Sequence, residues 1–356
     1  MKDPRTTFRG NLKHPLDSIF FLVISAVIGG CNEWKTIEVF GETQIEWLRK
    51  YFPFEHGIPS QDTLGRVFSA LDTDLFGKYF MEWTRGICNL TDGEVVAFDG
   101  KTMRGSYDNQ SNKRALHIVS AYAQKNRLCL GQVVTNQKSN EITAIPELLE
   151  MLSLEKATVT LDAMGCQKKI VEKIRAKKAD YVIAVKNNQK ELYNQIDKLF
   201  IIVKPSSEDI NYDVGHGRVE KRKCFVIDDF TFFDDNEDWK DLKSIVKIET
   251  QRFNKSTLKT NNESRYYITS HNSEASVLNQ VIRNHWSIEN NLHWMLDVVF
   301  NEDNSRKRKG SSAANFNIIS KIALGMIERN TKKESKRQKR FRAGFDPKYR
   351  EELLGI

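Results

Sequence analysis

The sequence predicts an α/β fold built on a mixed sheet, preceded by an all-α segment and interrupted by a β-rich insertion. Three observations lead to this class. Residues 1 to about 90 carry apolar residues at helical spacing, the pattern switches to short β-favouring runs from Glu94, and strands then alternate with helices as far as residue 200. At 356 residues, the chain is long enough for a core domain with such additions.

The N-terminal segment is predicted to form four helices. The most apolar, Leu16–Ile28, falls short of the ~20 residues that cross a bilayer. The others are predicted at Glu42–Tyr51, after Ser60 as N-cap, and at Asp74–Cys88. Short helices joined by tight turns occur both in units that bind a DNA groove and in plain bundles, and helix propensity does not separate the two interpretations.

The next segment is predicted to alternate strands and helices. Its elements are, in order, strands at Val95–Asp99, Ala115–Tyr122 and Leu128–Val134, a helix at Ala144–Leu152, a strand at Thr158–Asp162, a helix at Gln167–Lys178, a strand at Tyr181–Val185 and a helix at Lys190–Phe200. This order is the topology of the ribonuclease-H-like fold. Because the first and fourth strands lie side by side in that topology, Asp99 and Asp162 are expected to lie together.

The rest of the chain divides where its composition changes. Residues 203–270 are charged and contain strand patterns at Val219–Ile227, Ser244–Thr250 and Arg265–Thr269. We therefore predict a helical N-terminal domain at 1–92, a first part of the core at 93–202, a β-rich insertion at 203–270, a second part of the core at 271–330 and a basic C-terminal tail at 331–356.

Three carboxylates occur at positions that suggest a site. Asp99 ends one buried strand and Asp162 ends another. Taken alone, an Asp at a strand end is more often a turn or cap residue. Glu289 lies next to an apolar helical stripe that includes Ile288 and Leu292, where an acid is costly unless it is paired or binds a cation.

Such side chains indicate a hard divalent cation. Oxygen ligands without nearby cysteines suit Mg²⁺ or Mn²⁺. Two such ions ~4 Å apart can activate an attacking oxygen and stabilise the leaving oxygen at a phosphodiester. The formal net charge of +8 and the pI of about 9.0 make a polyanionic partner plausible. The sequence therefore points to metal-assisted cleavage or transfer of a nucleic-acid strand.

A zinc site is the rival interpretation. His285, Glu289 and His293 are spaced four residues apart along one predicted helix, although this is not the HExxH spacing. The five cysteines are scattered without a CxxC pair, so they give no zinc or disulfide framework and indicate reduced thiols.

Several long motifs resemble one family of mobile-element proteins. Similarity to the H-repeat-associated-protein family of bacterial insertion-sequence transposases, a branch of the DDE superfamily, is found in AFDGKTMRGS, QKSNEITAIPELLEML, VTLDAMGCQKKI, DYVIAVKNNQ and HWSIENNLHWMLDVVFNEDNSR. Near the start, Asp3-Pro4-Arg5 and GIPSQDTLGRVFS are similar to the same family. The resemblance thus covers nearly the whole chain.

The resemblance implies cut-and-insert DNA chemistry. Asp99, Asp162 and Glu289 match the family's DDE triad, which would hold two Mg²⁺ or Mn²⁺ ions. It further implies that the N-terminal helices recognise terminal inverted repeats and that a homodimer holds both element ends for insertion into target DNA. Because the start of the chain lacks a signal-peptide pattern, we expect the protein in the bacterial cytoplasm, at the nucleoid.

The chain departs from one pattern that related transposases often carry around the Glu, Y-x2-R-x3-E-x6-K. Here the Tyr, Arg and Lys positions are Ile282, His285 and Leu296. His285 is therefore the candidate to replace the Arg at the DNA backbone, and a hairpin intermediate at the cut end stays an open question. The departure also keeps an alternative function in view, a catalytically inactive or domesticated relative that binds DNA without cutting it.

Basic and amide residues near the acids are predicted to contact DNA phosphates. Lys101 and Arg104 follow the first acid, and Lys186 and Asn187 follow the fifth strand at the same sheet edge. Arg306 begins a basic run after the helix that carries the third acid. Since such residues are also common in solvated loops, this prediction depends on where the fold places them.

Overall fold

The computed structural model describes residues 13–107, 114–135, 141–215, 217–234 and 238–356. Asp3-Pro4-Arg5 and the first residues of the QKSNEITAIPELLEML motif lie outside these ranges. The described residues form a mixed sheet with helices packed on both faces, so the predicted α/β class is confirmed.

The helical segment before the sheet matches the prediction in part. Its helices are α1 Leu16–Ile28, α2 Trp34–Thr43, α3 Ile45–Leu48, α4 Gln61–Ala70 and α5 Thr73–Ile87. The predicted bounds of α1 are confirmed, and Ser60 caps α4 by accepting a hydrogen bond from the backbone N–H of Thr63. The predicted helix at Glu42–Tyr51 is wrong in extent, because only α3 lies wholly within it. The preceding turns belong to α2, which begins at a capping box formed by Glu33 and Thr36 and ends before Gln44.

In the described ranges the sheet has nine strands. They are β1 Val95–Thr102, β2 His117–Ala123, β3 Leu128–Thr135, β4 Thr158–Leu161, β5 Asp180–Val185, β6 Ser207–Gly215, β7 Arg218–Ile227, β8 Ser244–Asn254 and β9 Lys259–Thr269. Their order is β3-β2-β1-β4-β5-β9-β8-β7-β6. β1 pairs antiparallel with β2 and parallel with β4, which confirms the predicted adjacency of the first and fourth strands.

The central strand β1 contributes alternate residues to two apolar cores. The helices that follow β3 are α6 Glu141–Met151, α7 Lys168–Ala176, α8 Lys190–Ile202, α9 Ala275–His285, α10 Trp294–Val298, α11 Ser312–Arg329, α12 Lys336–Phe345 and α13 Pro347–Leu354. Val96 and Phe98 pack with α6, α7 and α8, whereas Ala97 packs with the N-terminal helices and α11.

No helix in the described part of the chain is long and apolar enough to span a membrane.

The strands of the predicted insertion extend the core sheet. β9 pairs antiparallel with β5, with Ile268 opposite Ile183, and β8, β7 and β6 follow outward. β6 is not among the predicted strands, although Ile210, Tyr212 and Val214 alternate with polar residues along it. All three side chains are exposed, so the alternation does not mark a face that the core buries.

Residues 331–356, predicted as a basic tail, form α12 and α13 against the N-terminal helices. Arg340 donates hydrogen bonds to the carbonyl of Val27, including one of 2.7 Å. The guanidinium of Arg350 lies 4.0 Å from the ring centroid of Trp47. Both arginines are buried because they satisfy helix-end carbonyls or cover aromatic surface, and a count of charges does not reveal either role.

Candidate metal-binding site

Adjacent strands carry the two aspartates to one edge of the sheet. Phe98 of β1 lies opposite Leu161 of β4, so Asp99 and Asp162, the next residues, stand side by side. Asp162 also caps the short turn that follows it, where its carboxylate accepts a hydrogen bond of 2.9 Å from the backbone N–H of Met164. Strand pairing alone therefore fixes two of the three predicted acids.

Glu289 reaches the same edge from an irregular helix. The pattern predicts one helix over residues 283–297, but α9 ends at His285 and a π-helical turn at Glu289–His293 precedes α10. Ile288 and Leu292 are buried as predicted and anchor this turn. A π turn interrupts the α-helical repeat and is frequent at functional sites. It leaves the Glu289 side chain 51% exposed at the rim of the core.

Three side chains meet at this edge, and we call Asp99, Glu289 and His293 the acid–histidine cluster. His293 Nδ1 lies 3.4 Å from Asp99 Oδ2 and 3.6 Å from Glu289 Oε2. One ligand atom from each residue lies within 4.8 Å of the other two, close enough to surround a single metal ion. Asp162 stands beside this set, and its charge acts on Asp99.

The pKa shifts at this edge reflect burial and crowded negative charge. Burial and then the neighbouring Glu289 raise the pKa of Asp99. The nearby His293 imidazole lowers the pKa of Glu289, while burial lowers the pKa of His293. Burial followed by the charge of Glu141 raises the pKa of Asp162. Raised pKa values are expected for buried aspartates that lie close to other carboxylates.

Lys101 lies in a second charged group, which we call the lysine cluster: Lys101, Asp297 and Glu302. Lys101 Nζ donates a hydrogen bond of 2.8 Å to Glu302 Oε2 and another to Asp297. Its side chain is only 14% exposed. The ammonium that sequence analysis assigns to DNA is therefore engaged by two carboxylates of the protein itself.

Lys186 and Asn187 are exposed close to the acids. Together with Asp162 and Arg265 they line an open cavity of about 520 Å³ beside the sheet edge. Arg265 lies with its guanidinium 5.3 Å from the ring centroid of Trp286. The structure thus brings these two predicted DNA contacts next to Asp162, one acid of the predicted triad.

Arg104 and Arg306 are exposed at other positions on the surface. The Arg104 side chain is 83% exposed, and its Nε lies 3.8 Å from Asp303 Oδ2. Arg306 lines a groove of about 1010 Å³ with Arg66 and Lys309, between α4 and the segment before α11. These basic side chains border a surface that runs from the core to the N-terminal helices.

His285 does not join the acid–histidine cluster. Its Nδ1 shares a hydrogen bond of 2.9 Å with Thr160 Oγ1, and burial lowers the pKa of the imidazole to about 4. The ring is therefore neutral at pH 7 and cannot replace the charge of an arginine. Within the described ranges it belongs to no compact group of three ligand atoms, so the zinc set of His285, Glu289 and His293 is wrong. Ile282 and Leu296 are buried among apolar residues.

A buried pair beside the site was missed by sequence reasoning. His117 Nε2 and Glu141 Oε1 lie 2.6 Å apart, and both residues are buried. They fill the space next to Gly100, where a Cβ would collide with both side chains. The available indications were the glycine directly after Asp99 and the position of Glu141 inside a motif of the resemblance, but periodicity assigns neither a role.

Comparisons with known proteins show similarity to transposases over most of the chain. The family model described as Transposase DDE domain matches residues 90–326, and the one described as DDE_Tnp_1-associated matches residues 1–84. The Escherichia coli O157:H7 protein named "Putative transposase YncI" is 44% identical over 97% of this chain and 90% of its own length. The Escherichia coli K12 protein named "H repeat-associated putative transposase YhhI" is 40% identical over 99% of this chain and 95% of its own.

One relative and one solved structure add detail. The Escherichia coli K12 protein named "Inactive transposase YbfQ" is 50% identical, but over only 16% of this chain and 67% of its own. A piggyBac transposase synaptic complex with hairpin DNA covers 99% of this chain and 76% of that chain, at 12% identity and a TM-score of 0.45. The match to the DDE domain over most of the sequence and the long, similar relatives show that the chain belongs to the DDE family of transposases.

Proposed function

We propose that the chain nicks DNA at the ends of its own element and joins the freed 3′-hydroxyl to target DNA, with two divalent cations bound by Asp99, Asp162 and Glu289. The observation that supports this best is the arrival of three carboxylates, from β1, β4 and the π turn, at one open sheet edge. In the described part of the chain, no lysine or arginine forms an ion pair with Asp99 or Glu289. Such an edge fits cations taken up from solution, and its oxygen ligands match Mg²⁺ or Mn²⁺.

The proposed reaction has two displacements at phosphorus. In the first, the oxygen of water bonds to phosphorus at the element end, the bond to the 3′-oxygen breaks, and a proton transfer leaves a 3′-hydroxyl. In the second, that oxygen bonds to a phosphorus of the target, whose own 3′-oxygen leaves. Bound cations supply Lewis acidity at the attacking and leaving oxygens. The three carboxylates hold and orient them, and water and the 3′-end enter from the exposed side of Glu289.

The exposed basic residues suggest a path for the DNA. Lys186 and Asn187 are proposed to contact phosphates near the cut, because they flank the cavity beside Asp162. Arg104 and Arg306 are proposed to contact phosphates farther away. Lys101 and His285 are not included, because one is held by carboxylates and the other is a neutral ring.

The assignment of terminal-repeat recognition to residues 1–92 belongs to the same proposal. Arg66 of α4 and Arg306 of the core share one groove, so DNA held by the N-terminal helices would continue toward the acids. We further propose that two copies hold two element ends and that the protein works in the bacterial cytoplasm at the nucleoid. Mass measurement of complexes on paired terminal-repeat duplexes would give two chains per pair of ends, whereas one chain per pair would contradict the dimer.

A cleavage assay tests the central claim. The purified chain is incubated with a duplex that carries the terminal repeat of its element, in Mg²⁺ or Mn²⁺, and the products are sized. We expect a metal-dependent nick at the repeat boundary that falls at least ~10³-fold in Asp99→Ala, Asp162→Ala and Glu289→Gln, since each removes a cation ligand. Asp92→Ala is the matched control, because that side chain is 80% exposed and remote from the cluster.

The second candidate is a relative that binds DNA without cutting it. It is favoured by Ile282 and Leu296, which are buried where related transposases carry Tyr and Lys. Binding of terminal-repeat DNA with no nick in either metal, on single and paired ends, would replace the first proposal with this one. Full cleavage with the triad variants still active would contradict both.

A further inference from the structure

We propose that His293 is a nitrogen ligand to one of the two cations, so that this metal position is bounded by Asp99, Glu289 and His293 and prefers Mn²⁺ over Mg²⁺. The inference rests on the proposed metal site and specifies it further. It makes the two metal positions chemically different, one with mixed nitrogen and oxygen ligands and the other, toward Asp162, with oxygen ligands.

The position of the imidazole carries the inference. The His293 side chain is only 6% exposed, and its Nδ1 faces both carboxylates of the cluster. Its Nε2 is buried and has no hydrogen-bond partner in the described part of the chain. Because Nδ1 is the ring nitrogen that faces the two carboxylates, it is the atom that would bind the cation.

The distances separate a ligand set from an ion pair. Charge-assisted N–H···O bonds are about 2.7–2.9 Å long. His117 meets Glu141 at 2.6 Å, whereas His293 Nδ1 stays 3.4 and 3.6 Å from its two carboxylate oxygens. Neighbouring ligands at right angles around an ion with bonds of about 2.1 Å are about 3 Å apart. The cluster is therefore spaced more like a coordination shell that has relaxed slightly than like a hydrogen-bonded pair.

The local backbone explains how the histidine reaches this position. Glu289 and His293 are the first and last residues of the π-helical turn, so both side chains project from the same side of the helix. Leu292, next to His293, is buried and fixes the turn against the core. The turn thus presents one oxygen and one nitrogen ligand toward Asp99 on β1.

The donor set determines which cation is preferred. Carboxylates suit Mg²⁺ and Mn²⁺ alike, whereas imidazole is a poor ligand for Mg²⁺ and a better one for first-row transition metals. Replacing the imidazole by an amide oxygen should therefore weaken Mn²⁺ binding at this position more than it weakens Mg²⁺ binding.

Pulsed electron paramagnetic resonance of Mn²⁺ bound to the full chain tests this directly. We expect modulation from a coordinated imidazole nitrogen, and the coupling should change to the ¹⁵N pattern when the protein is labelled with ¹⁵N-histidine. In His293→Gln the nitrogen coupling should disappear. His285→Gln is the matched control, because His285 ends α9 shortly before the π turn and its ring is hydrogen-bonded to Thr160 of β4. This variant should keep the coupling.

Each failure has a distinct signature. If Mn²⁺ binds to the wild-type chain without nitrogen coupling, and this binding is lost in Asp99→Ala, then His293 is not a ligand but the carboxylates still form a metal site. Coupling that persists in His293→Gln also overturns the histidine ligand. No Mn²⁺ binding by the wild-type chain overturns the metal site of the proposed function itself. The isotope experiment needs no substitution, so the test holds even where His293→Gln fails to fold.

Discussion

Two charged clusters start two residues apart on β1 and differ in how their negative charge is met. In the lysine cluster, Lys101 lies between Asp297 and Glu302, and Glu302 also accepts a hydrogen bond from Asn317. One cation of the protein faces two carboxylates. That cluster is complete within the folded chain.

The acid–histidine cluster has the same number of carboxylates and no lysine or arginine paired with them in the described ranges. Burial and the charge of Glu289 raise the pKa of Asp99, which marks a carboxylate whose ionised form is disfavoured. Both clusters connect β1 to the chain between Glu289 and Glu302. The two clusters therefore have similar positions in the fold and differ in which charged groups they contain. The difference is that the protein itself supplies the cation of the lysine cluster, whereas under our proposal the cation of the acid–histidine cluster comes from solution.

Removing the cation of the lysine cluster should have the largest effect on stability. Lys101→Met leaves Asp297 and the buried Glu302 facing each other, and breaking a buried pair from one side costs about 3 kcal/mol in the free energy of unfolding. Chemical denaturation in the absence of metal measures it. Lys178→Met is the control, because its partner Glu155 is exposed and such pairs contribute less than about 1 kcal/mol. An equal decrease in the free energy of unfolding in the two variants would show that the lysine cluster does not stabilise the fold more than an exposed ion pair does.

Adding a cation should act on the other cluster alone. At a concentration 100 times its dissociation constant, Mn²⁺ should raise the free energy of unfolding of the wild-type chain by about 2.7 kcal/mol. The gain should vanish in Asp99→Asn and survive in Lys101→Met, because only the acid–histidine cluster lacks a cation. Chelation with EDTA should reverse it. A gain that Lys101→Met also loses would mean that the two clusters are not independent.

The strands that hold both clusters were predictable, because their physics is local. β1 and β4 show as β-branched, apolar runs, and strand order then places Asp99 beside Asp162. β6 has no such run, because Ile210, Tyr212 and Val214 alternate with polar residues and face solvent, and the strand is held by its backbone pairing with β7. Arg340 lies in a basic run that the sequence analysis assigns to a C-terminal tail. Its hydrogen-bond partner, the carbonyl of Val27, is 313 residues away in the chain, so no local pattern shows that Arg340 is buried.

The positions of the three predicted acids in the fold could be inferred from the sequence, whereas the contacts between side chains could not. Asp99, Asp162 and Glu289 follow from strand ends and a helical stripe. The π turn does not, because a single helix gives the same apolar spacing, so the approach of His293 to Asp99 was not anticipated. The binding of Lys101 by Asp297 likewise joins residues far apart in the chain, and no local pattern encodes it.

The pH dependence of stability can separate the acid–histidine cluster from the histidine that precedes it. His285 titrates at about 4 in the folded protein and at 6.5 ordinarily. Between these values the unfolded chain binds a proton that the folded chain does not, so stability is full above pH 6.5 and is lost as the pH falls toward 4. At about 1.4 kcal/mol for each pKa unit, reduced for partial exposure, the loss should be about 2 kcal/mol.

Denaturation curves of wild type and His285→Gln between pH 4 and 7, both in EDTA, measure this loss. The variant should lack the slope that wild type shows in this window. If both proteins keep the same slope, it belongs to other groups, the acid–histidine cluster first among them.

Asp99→Asn in the absence of metal should have the smallest effect and an unusual sign. The substitution keeps the shape and removes a charge that burial and Glu289 disfavour, so it should raise the free energy of unfolding by about 1 kcal/mol at pH 7. Because a carboxyl with a raised pKa costs stability as the pH rises above its unfolded value of 3.8, the gain should be larger at pH 8 than at pH 5. The same substitution at Asp297 is the counterpart, and there the loss of a lysine partner should destabilise the protein.

Thermal and chemical denaturation of the two asparagine variants, side by side in EDTA, therefore tests the comparison at its narrowest point. Opposite signs of the change in the free energy of unfolding would mean that attraction between charges stabilises the lysine cluster, whereas repulsion between carboxylates destabilises the acid–histidine cluster. A loss of stability in Asp99→Asn would mean instead that His293 and Asp99 form a structural ion pair in the folded chain. The cluster would then resemble its neighbour on β1, and the 3.4 Å between Nδ1 and Oδ2 would be the length of that pair and not the spacing of two ligands.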